Sequence, residues 1–463
     1  MAFFLPDISE NHSIMNKLRV PLAVAFFSLP AIATVPATAT EISTLKQSVS
    51  YALAHNRMLA ADAQSLEQAE ARQAGAWGHL MPRLDLSSGV VRTDAPGSYL
   101  GMKLNQQRMT AADFNPAFIN NPGYINNYQT RLDLSMPIYQ GGALWAGKKL
   151  AGHQAEASRF AHQAVSQQVI FHTVEAYART RQTFSQIQAM ESAVSAAKKR
   201  YQDTENMHKR GILIDSDVMD ASVHLLRTEL QLQQAKNGHA QSLDVLQRVL
   251  GLNGEVAMHA DEEPRIQGLN LTLEAAMAHA LLNRPDLQAM QQQYEAADAG
   301  IDKARSGFLP HVNLVAASEW NASTLAMKNR NSMIGATVSM NLFAGGSDLA
   351  GIRGARAELV ALEYKIGDRK QQIENEVAQA WRTLDEAKLR YQSESQAVKQ
   401  SEESLRIKSL RHQQGLSTTS DLLDAQQRAD SSHVSAIRAQ YDVTISQAAL
   451  LMAVGSLNEE VIQ

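Results

Sequence analysis

Two stretches of this chain repeat each other at a fixed distance, and that limits the fold more than any single motif. "MPIYQGG" at 136–142 matches "MNLFAGG" at 340–346, an offset of 204 that also aligns Gly211 with Gly415, Asp217 with Asp421, Asp220 with Asp424 and Gly251 with Gly455. "LMPRLDL" at 80–86 matches "FLPHVNL" at 308–314 with an offset of 228. A spacing held over more than a hundred residues marks a duplicated unit. The difference of 24 residues falls between the two strand-like segments of each copy, so the first copy carries the longer hairpin loop.

Each copy has the same predicted order: helix, two strands, very long helix, turn, helix. The first helix is expected over 42–80 and 273–308, ending before Pro82 and Pro310. Strands are expected at about 83–99, 126–139, 311–323 and 332–343. A helical pattern then runs unbroken over about 144–209 and 349–411, which at 1.5 Å per residue is ~95 Å of helix. Ordinary globular helices average nearer 11 residues. The copies are delimited as 40–254 and 272–457, with a linker at 255–271 and a short tail at 458–463.

The long helices place apolar residues three and four apart, as at Leu359, Leu362, Ile366, Ile373, Val377, Ala380 and Leu384. This is the seam of a coiled coil or bundle. Much of the seam is alanine and the remaining surface is rich in Gln and Ser, which suits a tube wall with water on both faces. The strands alternate: Leu132, Leu134, Met136 and Ile138 oppose Arg131, Asp133 and Ser135, while Ile334, Ala336, Val338, Met340 and Leu342 oppose Gly335, Thr337, Ser339 and Asn341. Such a period fits either a half-buried sheet capping a soluble bundle or a membrane barrel with a wet lumen. Four strands cannot close a barrel, because membrane barrels begin at about eight, and open edges are intolerable in lipid. Strands that enter a bilayer here require several chains to share one wall, and three chains supply twelve.

The N-terminus carries a short basic region after Met15, the apolar "PLAVAFFSLPAIA" at 21–33 and "ATA" at 37–39. This is a secretory signal peptide over 1–39, with translation starting at Met1 or at Met15. The chain has no Cys, which excludes disulfides, thiolate metal sites, a cysteine nucleophile and a lipidated mature N-terminus. A net charge of -4 with scattered basic residues offers no nucleic-acid surface. No zinc signature, phosphate loop, dinucleotide fingerprint or nucleophile elbow is present. His153, His162 and His172 recur at intervals of nine and ten, so they do not share a helix face and make a poor ligand set. His55 and His279 read as surface residues near helix ends. Neither a metal site nor a cofactor is expected, and the chain does not read as an enzyme.

Leu-Pro before a strand, a strand ending in Gly-Gly, a turn with glycine six residues before aspartate, and all of it twice over: in this order the chain resembles the outer membrane efflux protein family, the TolC-like channels of Gram-negative bacteria. The resemblance covers essentially all of the mature chain. It implies a mostly α fold with a membrane β-barrel: a long α-helical coiled-coil barrel forming a periplasmic tunnel, plus four strands per chain in a 12-stranded trimeric outer membrane barrel. It implies a homotrimer in outer membrane lipid, the exit duct of a tripartite efflux pump or type I secretion system, working with a periplasmic adaptor and an inner membrane transporter of RND, ABC or MFS type. The alternative is a soluble or periplasmic structural coiled-coil or adaptor protein without a pore.

By the same resemblance, Pro82, Pro310, Gly141, Gly142, Gly345 and Gly346 mark the junction of barrel and tunnel, and 255–271 lies at the equator. The turns at Gly211, Ile212, Leu213 and at Gly415, Leu416, Ser417 lie at the periplasmic tip, where adaptors dock. Carboxylates matching Asp421 and Asp424, with Asp217 and Asp220 in the first copy, ring the entrance and raise one another's proton affinity. His412 and Ser417 stand where relatives restrain the entrance with Tyr and Arg, and His412 is a candidate partner for Asp217. Read from residues alone, the aspartates also serve as helix-start charge, and Ser216, Thr418, Thr419 and Ser420 are candidate caps, Thr418 and Asp421 having capping-box spacing. Trp77 and Trp145 flank the helix-to-strand junctions, where interfacial aromatics or ordinary packing place them equally well.

Overall fold

A computed structural model describes residues 40–42, 44–252, 256–258 and 263–462. The signal peptide expected at 1–39 and part of the linker at 255–271 lie outside the described residues. In chain order the elements are β1 (Thr40–Ile42), α1 (Leu45–His55), α2 (Arg57–Gly78), β2 (Arg83–Thr93), α3 (Pro96–Asn105), α4 (Pro116–Ile119), β3 (Ile125–Gln140), α5 (Ala143–Lys209), α6 (Asp215–Leu250), β4 (Val256–Met258), α7 (Leu273–Asn283), α8 (Pro285–Arg305), β5 (His311–Ala322), β6 (Arg330–Ser339), α9 (Ser347–Gln413) and α10 (Thr419–Val454). The duplication is visible in length alone: α5 and α9 have 67 residues each, α6 and α10 have 36 each, and α1 and α7 have 11 each.

The long helices run through the whole helical part, and the shorter ones pack along them in two tiers. In one tier α5 packs against α2 and α8, with α9 beside α8; in the other α5 packs against α6 and α10, with α9 beside α10. Both tiers are therefore one helix thick, in keeping with the alanine-rich seams. The largest apolar packing is confined to a belt halfway along the long helices. There Val169, Ile170, Val174 and Tyr177 of α5 bury against Leu45, Val49, Leu246 and Leu250. One repeat later Ile373 and Val377 of α9 bury against Ala276, Ala280, Leu287 and Val454.

Each first helix, expected to be continuous over 42–80 and 273–308, is broken in two at this belt. Asn56 leaves the helix at φ -66, ψ 125 and its side chain caps the next helix by accepting from the backbone of Met58 and Leu59. In the second copy Pro285, with no N–H to give, pushes Arg284 to φ -66, ψ 122. The left-handed ends of α6 and α10 press on these breaks: a Cβ at Gly251 would lie 2.3 Å from the carbonyl oxygen of His55, and one at Gly455 would lie 3.1 Å from Cα of Arg284. Arg284 also binds Asp286 and Glu376, and Arg369 of α9 binds both of the same carboxylates.

The four long strands form one antiparallel sheet in the order β2-β3-β5-β6, while β1 and β4 pair in parallel by themselves. Two strand bounds and one register differ from expectation. β2 ends at Thr93 rather than near residue 99, because Pro96 opens α3 and Tyr99 turns into that helix. β3 carries a bulge between Pro137 and Tyr139, so Ile138 drops out of the apolar row and Tyr139 faces Val312. β6 stops at Ser339, leaving Met340 and Leu342 beyond it. The polar segment between β2 and β3 is folded: Tyr99 and Gln106 are buried, and Lys103 pairs with buried Asp113 while lying over the rings of Tyr99 and Phe118.

Candidate functional site

Register separates the sheet into two unlike faces. One carries Leu84, Leu134, Ala316 and Ile334 in a row across the four strands, with Leu86 beside Leu132 and Ala336 beside Leu314. These residues stand open: Leu86 is 71% exposed, Ile334 78% and Val338 70%. The other face carries Arg83 bound to Asp85 at 2.8 Å, Arg131 bound to Asp133 at 2.8 Å and to Glu319 at 3.5 Å, and a chain of amides in which Gln106 donates to Asn127 at 2.8 Å and Asn127 to Asn321 at 2.9 Å. The outer edges of β2 and β6 have no strand partner among the described residues. A sheet that is apolar on one side, ionic on the other and unpaired at both edges is a segment of a wall.

Glycines set the junction between sheet and helices. Gly141 has φ +60, and a Cβ there would lie 2.5 Å from the carbonyl oxygen of Ser306, so strand and helix meet too closely for a side chain. Gly142 and Gly346 cap α5 and α9 at φ 83 and 85, Gly345 precedes the second cap at φ 62, and Pro82 and Pro310 directly precede β2 and β5. Lys148 sits between the half-exposed indoles at this level, 3.6 Å from the ring centre of Trp77 and 5.2 Å from that of Trp145.

At the opposite end, the two tip turns are built alike. Gly211 adopts φ 73, its N–H donates to the carbonyl of His208 at 2.8 Å, and the N–H of Ile212 reaches back to Met207 at 3.0 Å. Gly415 also has φ 73, donating to His412 at 3.0 Å, while Leu416 reaches Arg411 at 2.8 Å. Both are Schellman closures, which satisfy the last helix carbonyls and require a left-handed residue. They leave Ile212 61% exposed and Leu416 62% exposed at the apex, with Leu213 half-buried beside the first.

The restarts differ between copies. Thr418 accepts from the N–H of Asp421 at 3.1 Å, and the Asp421 carboxylate accepts from the backbone N–H of Thr418 at 3.3 Å, closing a capping box. In the first copy the cap position is Ile214, and Ser216 lies inside α6, so the expected serine cap is absent; Asp217 accepts from the backbone of Ile214 instead. Thr419 and Ser420 likewise lie inside α10. His412 does not reach Asp217 within the chain: its Nε2 lies 3.3 Å from the hydroxyl of Thr419, and the equivalent His208 binds Asp215 at 2.7 Å. Ser417 donates to Asp421 at 3.4 Å.

Asp421 is held down to about 2, first by the Thr418 hydroxyl and then by the ammonium of Lys408 at 3.1 Å. Within one chain this opposes the mutual raising expected of crowded carboxylates. Asp424 is exposed on the next turn, and Ser420 donates to Asp220 at 3.5 Å.

Sequence reasoning missed Lys408, and it missed a polar cluster buried where α5, α6 and α10 meet. There Arg200 donates to Gln426 at 2.8 Å and Gln426 to Asp430 at 2.8 Å, while the Nε2 of His224 has no hydrogen-bond partner. Burial pushes Asp430 up and His224 down. His153, His162 and His172 engage Gln292, Asp62 and Glu175 separately. His55 is exposed and stacks on Tyr51, but His279 is half-buried with an unpartnered Nδ1, unlike the surface position expected of it.

A model of the family described as "Outer membrane efflux protein" matches residues 48–252 and 276–456. The alkaline protease secretion protein AprF of Pseudomonas aeruginosa is 22% identical over 341 residues, covering 72% of this chain and 71% of AprF. Among solved structures, CusC superposes with a TM-score of 0.76 at 18% identity, covering 89% of this chain and 92% of CusC. The CmeC outer membrane channel of Campylobacter jejuni gives a TM-score of 0.76 at 19% identity, covering 90% of this chain and 86% of CmeC. With its duplicated helices, four-stranded sheet and matched span, the chain belongs to the outer membrane efflux protein family: an outer membrane channel with a long periplasmic extension, and not an enzyme.

Proposed function

We propose that three copies of this chain close one twelve-stranded barrel and one helical tunnel, the exit duct of a tripartite efflux pump or type I secretion system. The observation that carries the reading is the sheet: both edges are unpaired among the described residues, and one face is a band of exposed Leu, Ile and Val. Neither edge could stay open in lipid, where each unsatisfied backbone group costs about 2–7 kcal/mol. Partnership with pump proteins follows from the family. That membership sets aside the soluble coiled-coil or adaptor reading.

The tip turns carry the docking proposal. Gly211, Ile212, Leu213 and Gly415, Leu416, Ser417 would meet a periplasmic adaptor, and the exposed Ile212 and Leu416 supply the apolar anchors. An inner membrane transporter of RND, ABC or MFS type would drive export. Asp421 and Asp424, with Asp217 and Asp220, would line the entrance, supported by their place within two turns of the tip. Asp421 would stay ionised at neutral and mildly acidic pH, held by its cap and paired with Lys408. His412 and Ser417 would hold the turn in shape through Thr419 and Asp421.

The chain has no cysteine, so single introduced cysteines give clean cross-linking. Ile212→Cys and Leu416→Cys carrying a photoreactive label are expected to capture a periplasmic adaptor in cells. Capture by labels at Ser192 or Lys399, well above the tip, with none from the apices would contradict the docking site.

A further inference from the structure

The face that fronts lipid carries two arginines without acids, and they sit where a phosphorylated lipid would meet them. Its strand residues in β2, β3, β5 and β6 include no carboxylate, and its two cations are Arg92 and Arg330. Both lie at the end of the sheet remote from the helices, toward the outer leaflet. Arg330 donates from Nε to the hydroxyls of Ser318 at 2.9 Å and Ser332 at 3.2 Å, and the guanidinium of Arg92 lies 4.9 Å from the ring centre of Tyr124. The lumen face is built differently: there Arg83 and Arg131 are matched to Asp85, Asp133 and Glu319. Since an uncompensated charge beside acyl chains is costly, an arginine with no acid on that face calls for an anion from outside the protein.

The same face is shaped for more than an anion. A cleft of 480 Å³ lies on the same face, walled by Val90, Tyr128, Leu325 and Met327, with the hydroxyls of Ser88 and Thr130 on its floor, 3.2 Å apart. Ser88, Thr130, Trp320 and Arg330 form one row across the four strands, so the cleft and Arg330 share a depth. Apolar walls accept an acyl chain, and the floor hydroxyls suit a sugar. β2 and β6 are the two edges of the sheet, so closing the barrel brings both arginines to every seam between copies.

We propose that this surface binds a phosphorylated glycolipid of the outer leaflet, its phosphates held by Arg92 and Arg330 and an acyl chain seated against Val90, Tyr128, Leu325 and Met327. Guanidinium forks match phosphate oxygens in pairs, which a lysine could not reproduce. The seam arrangement rests on the three-copy reading, whereas the chemistry of the cleft belongs to each chain.

Native mass spectrometry of the full mature protein from mild detergent tests both and separates them. Bisphosphorylated lipid A, its dephosphorylated form and inorganic phosphate are titrated against wild type, an Arg92→Gln/Arg330→Gln variant and a lumen-face Arg83→Gln control. Wild type and the control are expected to hold lipid A about tenfold tighter than the dephosphorylated lipid, and the double variant to lose that preference. Equal binding of the two lipids by wild type, or an undiminished preference in the double variant, would overturn the site. Arginine-dependent adducts of inorganic phosphate at the same concentrations would make it a free-anion site and overturn the lipid assignment. The same spectra report the number of chains, so a folded double variant is recognised by its unchanged assembly. Single chains in the spectra would overturn the three-copy reading, whereas three-chain assemblies without the lipid A preference would overturn the lipid site alone.

Discussion

Single residues separate positions where backbone geometry is obligatory from positions where it is only convenient. Gly251 and Gly211 share a positive φ, but a Cβ at 251 would strike His55 whereas one at 211 meets open space. Gly211→Ala is expected to cost about 1 kcal/mol, the ordinary penalty for a left-handed alanine. Gly251→Ala must also part α6 from the Asn56 break, and is expected to lower the thermal midpoint by at least twice as much in the same melt. Asp421 allows a prediction in pH. Its folded pKa of about 2 lies below the ordinary carboxylate value, so its stabilising contacts are fully present above about pH 4. They are lost only as pH falls through about 2. Amide exchange at the start of α10, corrected for its intrinsic pH dependence, should show constant protection from pH 7 to pH 4. Loss of protection near pH 5 would place Asp421 in a different environment. Thr418→Ala, which removes the largest cause of the depression, should bring that loss to higher pH.

Elements show what a pattern can and cannot announce. The 67-residue helices, the matching helix pairs and the four strands were legible because period and duplication are written locally. The break at Asn56 was not, since asparagine inside a helical pattern is a weak stop and the break is held by Gly251, some 200 residues away in sequence. The break at Arg284 was marked by Pro285, which the helix expected over 273–308 ran through. The early end of β2 was legible in Asp94, Pro96 and Gly97, turn-forming residues that the strand expected at 83–99 ran through. Lys408 and the Arg200, Gln426, Asp430 cluster left no local mark, because which helices meet there is decided by packing alone. At this scale the two-faced sheet predicts reactivity. Cysteines at Leu134 and Val338 should react with lipid-phase probes and resist aqueous ones, and cysteines at Asp133 and Thr337 should do the reverse. Arg284→Met leaves Asp286 and Glu376 sharing one arginine, Arg369, and for a partly exposed cluster should cost roughly 1–3 kcal/mol, less than the 3–5 of a fully buried pair.

For the whole molecule, the strands fix what the helices can be. A chain with four long strands and two open edges cannot stand alone in a bilayer, and on the three-copy proposal the same closure that satisfies the edges would arrange the helices of neighbouring copies into a tunnel one helix thick. Light scattering of the purified mature protein in mild detergent, with the detergent mass subtracted, tests this most directly. The account predicts a single species of three chains at every protein concentration above the nanomolar range. A stable, folded single chain with β2 and β6 unpaired would contradict it.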